Sequence, residues 1–150
     1  MLFGNSRDEL RRGWLQAWQR ARTGALLTAL DTQLVTLIRE HPEYHDWLQR
    51  GDDALHTEFS PESGRVNPFL HLSMHLALRE QVSTDRPAGI ARIHAKLAAK
   101  DTAHEAEHAM MEALGKALWD SQCAGRAPDE RAYLEDLERL ATSSSARKGR

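Results

Sequence analysis

The chain has 150 residues, 41% apolar and 28% charged, with a formal net charge of −2 and one cysteine. That length describes one globular domain, large enough to bury roughly 70% of its unfolded-chain surface. The charge balance gives no basic field to recruit nucleic acid, no apolar run approaches the roughly 20 residues of a membrane span, and one thiol closes no internal disulfide.

From the N-terminus, MLFGNSRDELRR lacks the apolar core of a signal peptide, so a reduced, cytoplasmic protein is expected. Ser6 with Glu9 three residues on is a capping-box pattern that starts a first helix. Leu10, Trp14, Ala17, Trp18 and Ala21 then fall on one stripe, the spacing of a buried face. A second helix runs from Thr28 or Asp31 through Leu34, Val35, Leu37 and Ile38 to Glu40. Pro42 interrupts it, because proline disfavours helical geometry in the residue before it. Pro42 in turn opens a short helix, PEYHDWLQR, that stops at Gly51. Residues 52–66 are the least regular, with Pro61, Ser63 and Gly64 marking a loop.

Asn67-Pro68 caps and opens the helix NPFLHLSMHLALREQV. After the turn STDRPAG, Pro87 opens a helix through Ile90, Ile93 and Leu97. Thr102 with Glu105 caps a long helix to about Cys123, with Gly125 beyond it. Pro128 starts the last, PDERAYLEDLERLA. The tail, TSSSARKGR, is small, polar and basic, and disorder is expected over 141–150. No strand pattern competes, and no repeat of solenoid length is present. The expectation is an all-α, single-domain bundle of about six helices over residues 1–140.

Histidine spacing carries most of the functional information. Eight histidines stand at 41, 45, 56, 71, 75, 94, 104 and 108. Three pairs are four apart (His41/His45, His71/His75, His104/His108), where random scattering gives about 0.4. Residues four apart on a helix share a face, so two imidazoles so placed can converge on one ion. A pair from a second helix can complete the shell.

The pairs differ in setting. FLHLSMHLAL is apolar on nearly every side, so His71 and His75 are expected to be buried. They then need a metal or a hydrogen-bond network, since each unsatisfied group costs about 1–3 kcal/mol. HEAEHAMME places His104 and His108 beside an apolar stripe, with Glu112 one turn further as an oxygen ligand or an orienter of a ligand. Glu107 falls inside the apolar arc, an expensive place for a lone carboxylate. Pro42 breaks the helix between His41 and His45, so the same-face argument fails for them.

Blander readings stand beside these. A histidine-rich helix end is commonly a solvated surface, and a buried pair can be a polar network. HEAEH also fits H-x-x-E-H, an inverted zinc-protease pattern, but so short a string arises by chance and no peptidase architecture surrounds it. His56 and His94 are single and read as surface or satisfied polar residues. The four tryptophans read as core anchors, and Cys123 as a buried apolar residue.

The stretches NPFLHLSMHLALREQVSTDRPAGI, HEAEHAMMEALGKALWDSQCAGRAPDERAYLEDLERL and HPEYH closely resemble the bacterial domain-of-unknown-function (DUF) family 1841. The likeness runs from the first helix to Leu140. One departure is Ala113-Leu114, where the family often has a cysteine before the leucine. The resemblance implies a small helical protein and no established activity, substrate or cofactor.

Residue chemistry therefore sets the functional expectation: a divalent transition metal (Zn, Fe, Ni or Mn) held by His71, His75, His104 and His108, with Glu112. No reaction follows from these residues, and no Gly-rich loop suggests a nucleotide. The alternative is a metal-free interaction module using the first helix, where Arg7, Arg11, Arg12, Arg20 and Arg22 meet only Asp8 and Glu9. Neither a membrane nor a nucleic acid is expected as partner, and self-association stays open.

Overall fold

The computed structural model describes residues 7–57, 59 and 67–147, with side chains as far as Thr142. These form eight α-helices and no strand: α1 Arg7–Thr23, α2 Ala29–Arg39, α3 His45–Leu48, α4 Asp52–His56, α5 Pro68–Thr84, α6 Ile90–Ala98, α7 Ala103–Ala124 and α8 Glu130–Arg147. The all-α expectation holds, and the count of about six is corrected to eight. Two short segments differ from expectation. PEYHDWLQR divides into a 3-10 turn over Pro42–Tyr44 and the short α3. Asp52–His56, read as irregular, makes one helical turn that buries Ala54 and Leu55. The expected cap at Ser6 and the loop markers Pro61, Ser63 and Gly64 lie outside the described residues. The chain divides into two compact units, residues 1–76 and 77–150.

In the first unit, α1 buries Trp14, Ala17 and Trp18 as its stripe requires, against a core that includes Leu34, Leu37, Ile38, Phe69 and Leu72. Arg11, seven residues before Trp18 and so at the edge of the same face, is buried too, at 3% exposure. Its Nη1 donates to the carbonyls of Leu55 and Thr57, both at 2.9 Å, and its guanidinium lies 4.9 Å from the Phe69 ring centroid. The cation thus ties α1 to the end of α4, where carbonyls lack helical partners.

Helix α2 starts with a full capping box: Thr28 Oγ1 accepts from the Asp31 amide, and the Asp31 carboxylate accepts from the Thr28 amide. Arg20 Nη1 also donates to both Asp31 oxygens at 3.2 Å. The Thr28 amide, helped by Arg20, holds Asp31 below the usual carboxylate range. A depressed folded-state pKa adds stability above the unfolded value of about 3.9, and that stability is lost as pH falls through the folded value. Asp31→Asn should therefore cost about 1 kcal/mol at pH 7, and the gap should close below about pH 4. Urea unfolding of both proteins across that range measures it.

In the second unit α6, α7 and α8 pack pairwise. Their inner faces bury Ile90, Ile93, Leu97, Met110, Leu114 and Leu137. Helix α6 begins at Ile90, not at Pro87. Gly89 (φ 104°) precedes it, and the Asp85 carboxylate accepts from the amides of Gly89 and Ala91, doing the work of a cap. Gly125 ends α7 in the left-handed conformation (φ 64°), with Arg126 N–H returning to the Ser121 carbonyl, as its position in the sequence suggests. Tyr133 is buried and donates to Gln81 Oε1 at 2.8 Å; burial pushes its phenol pKa up.

Two packing expectations are corrected. Trp119 is 65% exposed, so only Trp14 and Trp18 are buried anchors, with Trp47 partly buried edge-on against Phe59 and Phe69. Cys123 is exposed, because the last turns of α7 extend past the buried stripe.

Candidate metal centre

Three histidines gather within the first unit. Helix α5 carries His71 and His75 one turn apart, with ring centroids 4.8 Å from each other. His41 follows the last turn of α2, its ring 5.0 Å from His71 and 4.7 Å from His75. His75 is fully buried and His41 is 2% exposed, while His71 is half-buried. The apolar surroundings predicted for α5 therefore bury one of its two rings and leave the other partly accessible.

The end of α2 explains His41. A helix leaves its last carbonyls without amide partners, and side-chain donors can serve them. His41 Nδ1 lies 2.7 Å from the Leu37 carbonyl, and His45 Nε2 lies 2.8 Å from the Ile38 carbonyl. Pro42 breaks the backbone between the two rings, so both cap α2 from different directions. His45 ends against Trp18, with centroids 4.7 Å apart. Tyr44 stacks nearly parallel on His41 at 5.5 Å, and burial pushes its phenol pKa up.

A carbonyl oxygen only accepts, so His41 Nδ1 carries a proton. In the neutral ring the lone pair is then on Nε2. That atom lies 3.1 Å from His75 Nε2. Without an ion, His75 Nε2 donates to His41 Nε2. The same separation suits two imidazoles sharing one ion, whose nitrogens stand roughly 3.0–3.3 Å apart when metal–nitrogen bonds are about 2.0–2.1 Å. An imidazole fixed through its other nitrogen by a backbone carbonyl is the usual arrangement of a metal-bound histidine.

In the second unit, the Thr102 hydroxyl accepts from the Glu105 amide and starts α7. The carboxylate of Glu105 turns to His108, with Oε1 3.4 Å from Nδ1. The rings of His104 and His108 are 4.4 Å apart and partly buried. Glu107 is 4% exposed, and Arg79 Nε donates to its two oxygens at 2.9 and 3.3 Å, so the carboxylate inside the apolar arc has its cation. Glu112 is exposed and lines an open cleft with Lys116 and Asp136.

Of the ligand set expected from sequence, His71 and His75 gather with His41 in the first unit, and His104 stands beside His108 in the second. His41 was missed, and its only local signal is its place just past the last turn of a helix.

The basic face of α1 is partly committed to structure. Arg11 is buried, Arg20 is bonded to Asp31, and Arg7 lies 3.8 Å from Asp8. No helix among the described residues is long and apolar enough to cross a membrane.

An all-helical chain that gathers imidazoles at a helix end defines a class, and not yet a family. The family comes from the match of residues 6–139 to Domain of unknown function (DUF1841), which covers nearly the whole chain. The protein belongs to that family. No curated protein and no solved structure matches it.

Proposed function

We propose that the protein binds a transition-metal ion through His41 and His75; His104 and His108 stay candidate ligands on their helical spacing alone. One observation carries the reading: the Leu37 carbonyl fixes the His41 tautomer so that its Nε2 lone pair meets His75 Nε2 at 3.1 Å, in a buried place. Glu105 acts on His108 in the same sense, favouring the Nδ1-protonated ring. The ring of His71, 5.0 Å from His41 and 4.8 Å from His75 between centroids, supports the reading as a further nitrogen donor. Glu112, one turn beyond His108, remains the outer carboxylate that its helical spacing proposes. No substrate or reaction is assigned.

Thermal unfolding with added zinc(II) tests the reading. An ion at about 100 times its Kd adds about 2.7 kcal/mol, which for a chain of this size raises the midpoint by roughly 5–10 °C. The shift should fade as the solution is made acidic, because imidazole binds metal only when neutral. His75→Ala should remove the shift while keeping the helical circular dichroism. An unchanged midpoint in the wild-type protein, with every divalent first-row ion tried, would sink the proposal.

A further inference from the structure

We infer that Tyr44 is a positioning residue for the proposed ion: its ring holds His41 in the orientation that points Nε2 at His75, and stabilises that imidazole once it carries an ion's charge. The inference rests on the metal-binding reading above and lies wholly within the first unit. The sequence HPEY accounts for the arrangement. Pro42 cannot continue α2, and the chain turns through the 3-10 segment Pro42–Tyr44, closed by the Tyr44 amide donating to the His41 carbonyl at 3.0 Å. Side chains three residues apart eclipse in 3-10 geometry, so Tyr44 comes to lie over His41. The two rings are parallel to within 4°, with centroids 5.5 Å apart.

Tyr44 also meets His71, edge-on at 78° with centroids 6.1 Å apart, and His71 stands at 80° to both His41 and His75. The phenol ring thus abuts two of the three imidazoles of the group. It packs against the core of the unit, which gives it a fixed place from which to act. The hydrogen bond from His41 Nδ1 to the Leu37 carbonyl fixes a direction, not the plane of the ring. A flat surface along the face of His41 fixes the plane. Charge adds to this. A metal-bound imidazole shares the ion's positive charge, and the face of a tyrosine ring attracts a cation within about 6 Å of its centroid. The contact is therefore stronger with the ion bound than without it, and such a difference raises affinity.

A residue that only filled the core would do neither, and substitution separates the two roles. Leucine keeps an apolar side chain without a flat face, whereas phenylalanine keeps the face without the hydroxyl. The experiment measures zinc(II) affinity on the full chain by chelator competition at neutral pH, with cobalt(II) as the coloured probe of donor geometry. Tyr44→Leu should weaken zinc(II) binding about 10-fold and alter the visible cobalt(II) spectrum. Tyr44→Phe should stay within about twofold of the wild-type affinity and keep its spectrum. Circular dichroism shows that each variant is folded. A measurement on the wild-type chain needs neither variant: the ring-proton resonances of Tyr44, one of two tyrosines in the chain, should move on addition of one equivalent of zinc(II). Zinc bound with those resonances unmoved would overturn the inference and leave the metal-binding reading standing. So would a folded Tyr44→Leu that binds as the wild type does, or a Tyr44→Phe as weak as Tyr44→Leu. Retention of neither zinc nor cobalt by the wild-type chain would overturn that reading itself, and the inference with it.

Discussion

Replacing Arg79 by methionine should lower the unfolding free energy by about 3 kcal/mol, although the residue lies outside the proposed ligand set. Its Nε donates to both oxygens of Glu107, a side chain only 5% exposed on the inner face of α7. Taking one partner from a buried pair costs about 3–5 kcal/mol, because the other charge loses its compensation in a place of low dielectric. The low end applies, since 31% of the Arg79 side chain still meets solvent. Arg79→Met with Glu107→Gln should recover much of the loss, because the unpaired charge leaves with its partner. Chemical denaturation of the three proteins at pH 7 checks both statements. A single-substitution cost under about 1 kcal/mol, the range of exposed pairs, would show that the carboxylate is solvated after all.

Local rules carried the fold further than the site. The caps at Thr102 and Gly125 and the stripe of Trp14, Ala17 and Trp18 depend on neighbours within two turns, so they are visible in the chain. The helix Asp52–His56 was not, because a single turn is too short to show a period. Arg11 shares the face of Trp14 and Trp18, but its partners at Leu55 and Thr57, some 45 positions away, are encoded by no local pattern. Glu107 was marked by its awkward position, and Arg79 answered it.

The histidines divide in the same way. Spacing set His71 beside His75 and His104 beside His108, and the apolar sequence around His75 foretold its burial. The broken pair His41/His45 gave no such signal. Pro42 sends one ring toward His75 and the other toward Trp18, so His41 enters the site through packing between α2 and α5. Trp119 and Cys123 misled in the opposite direction. Their residue types favour the interior, but α7 continues beyond the faces of α6 and α8 that cover its earlier turns.

His41→Ala should abolish metal binding, whereas His45→Ala should retain it. Both rings hydrogen-bond to carbonyls in the last turn of α2, so both substitutions remove a cap and should cost a comparable amount, roughly 0.5–1.5 kcal/mol each. Only His41 also presents a second nitrogen to His75. Equal loss of stability with unequal loss of the ion would separate capping from ligation. Loss of the ion in both variants would mean that the end of α2 must be intact for any binding, and that His41 is no special ligand.

The most direct measurement is the long-range proton–nitrogen correlation spectrum of the histidine rings, recorded before and after one equivalent of zinc(II), which is diamagnetic. Before addition, His41 should carry its proton on Nδ1 and His75 on Nε2, as the Leu37 carbonyl and the 3.1 Å contact require. Binding should move the Nε2 resonances of both rings and shift the His75 proton to Nδ1, while His45 and His56 stay in place. A spectrum in which His41 and His75 are untouched by one equivalent of the ion, or in which His41 is protonated at Nε2 from the start, would contradict the account.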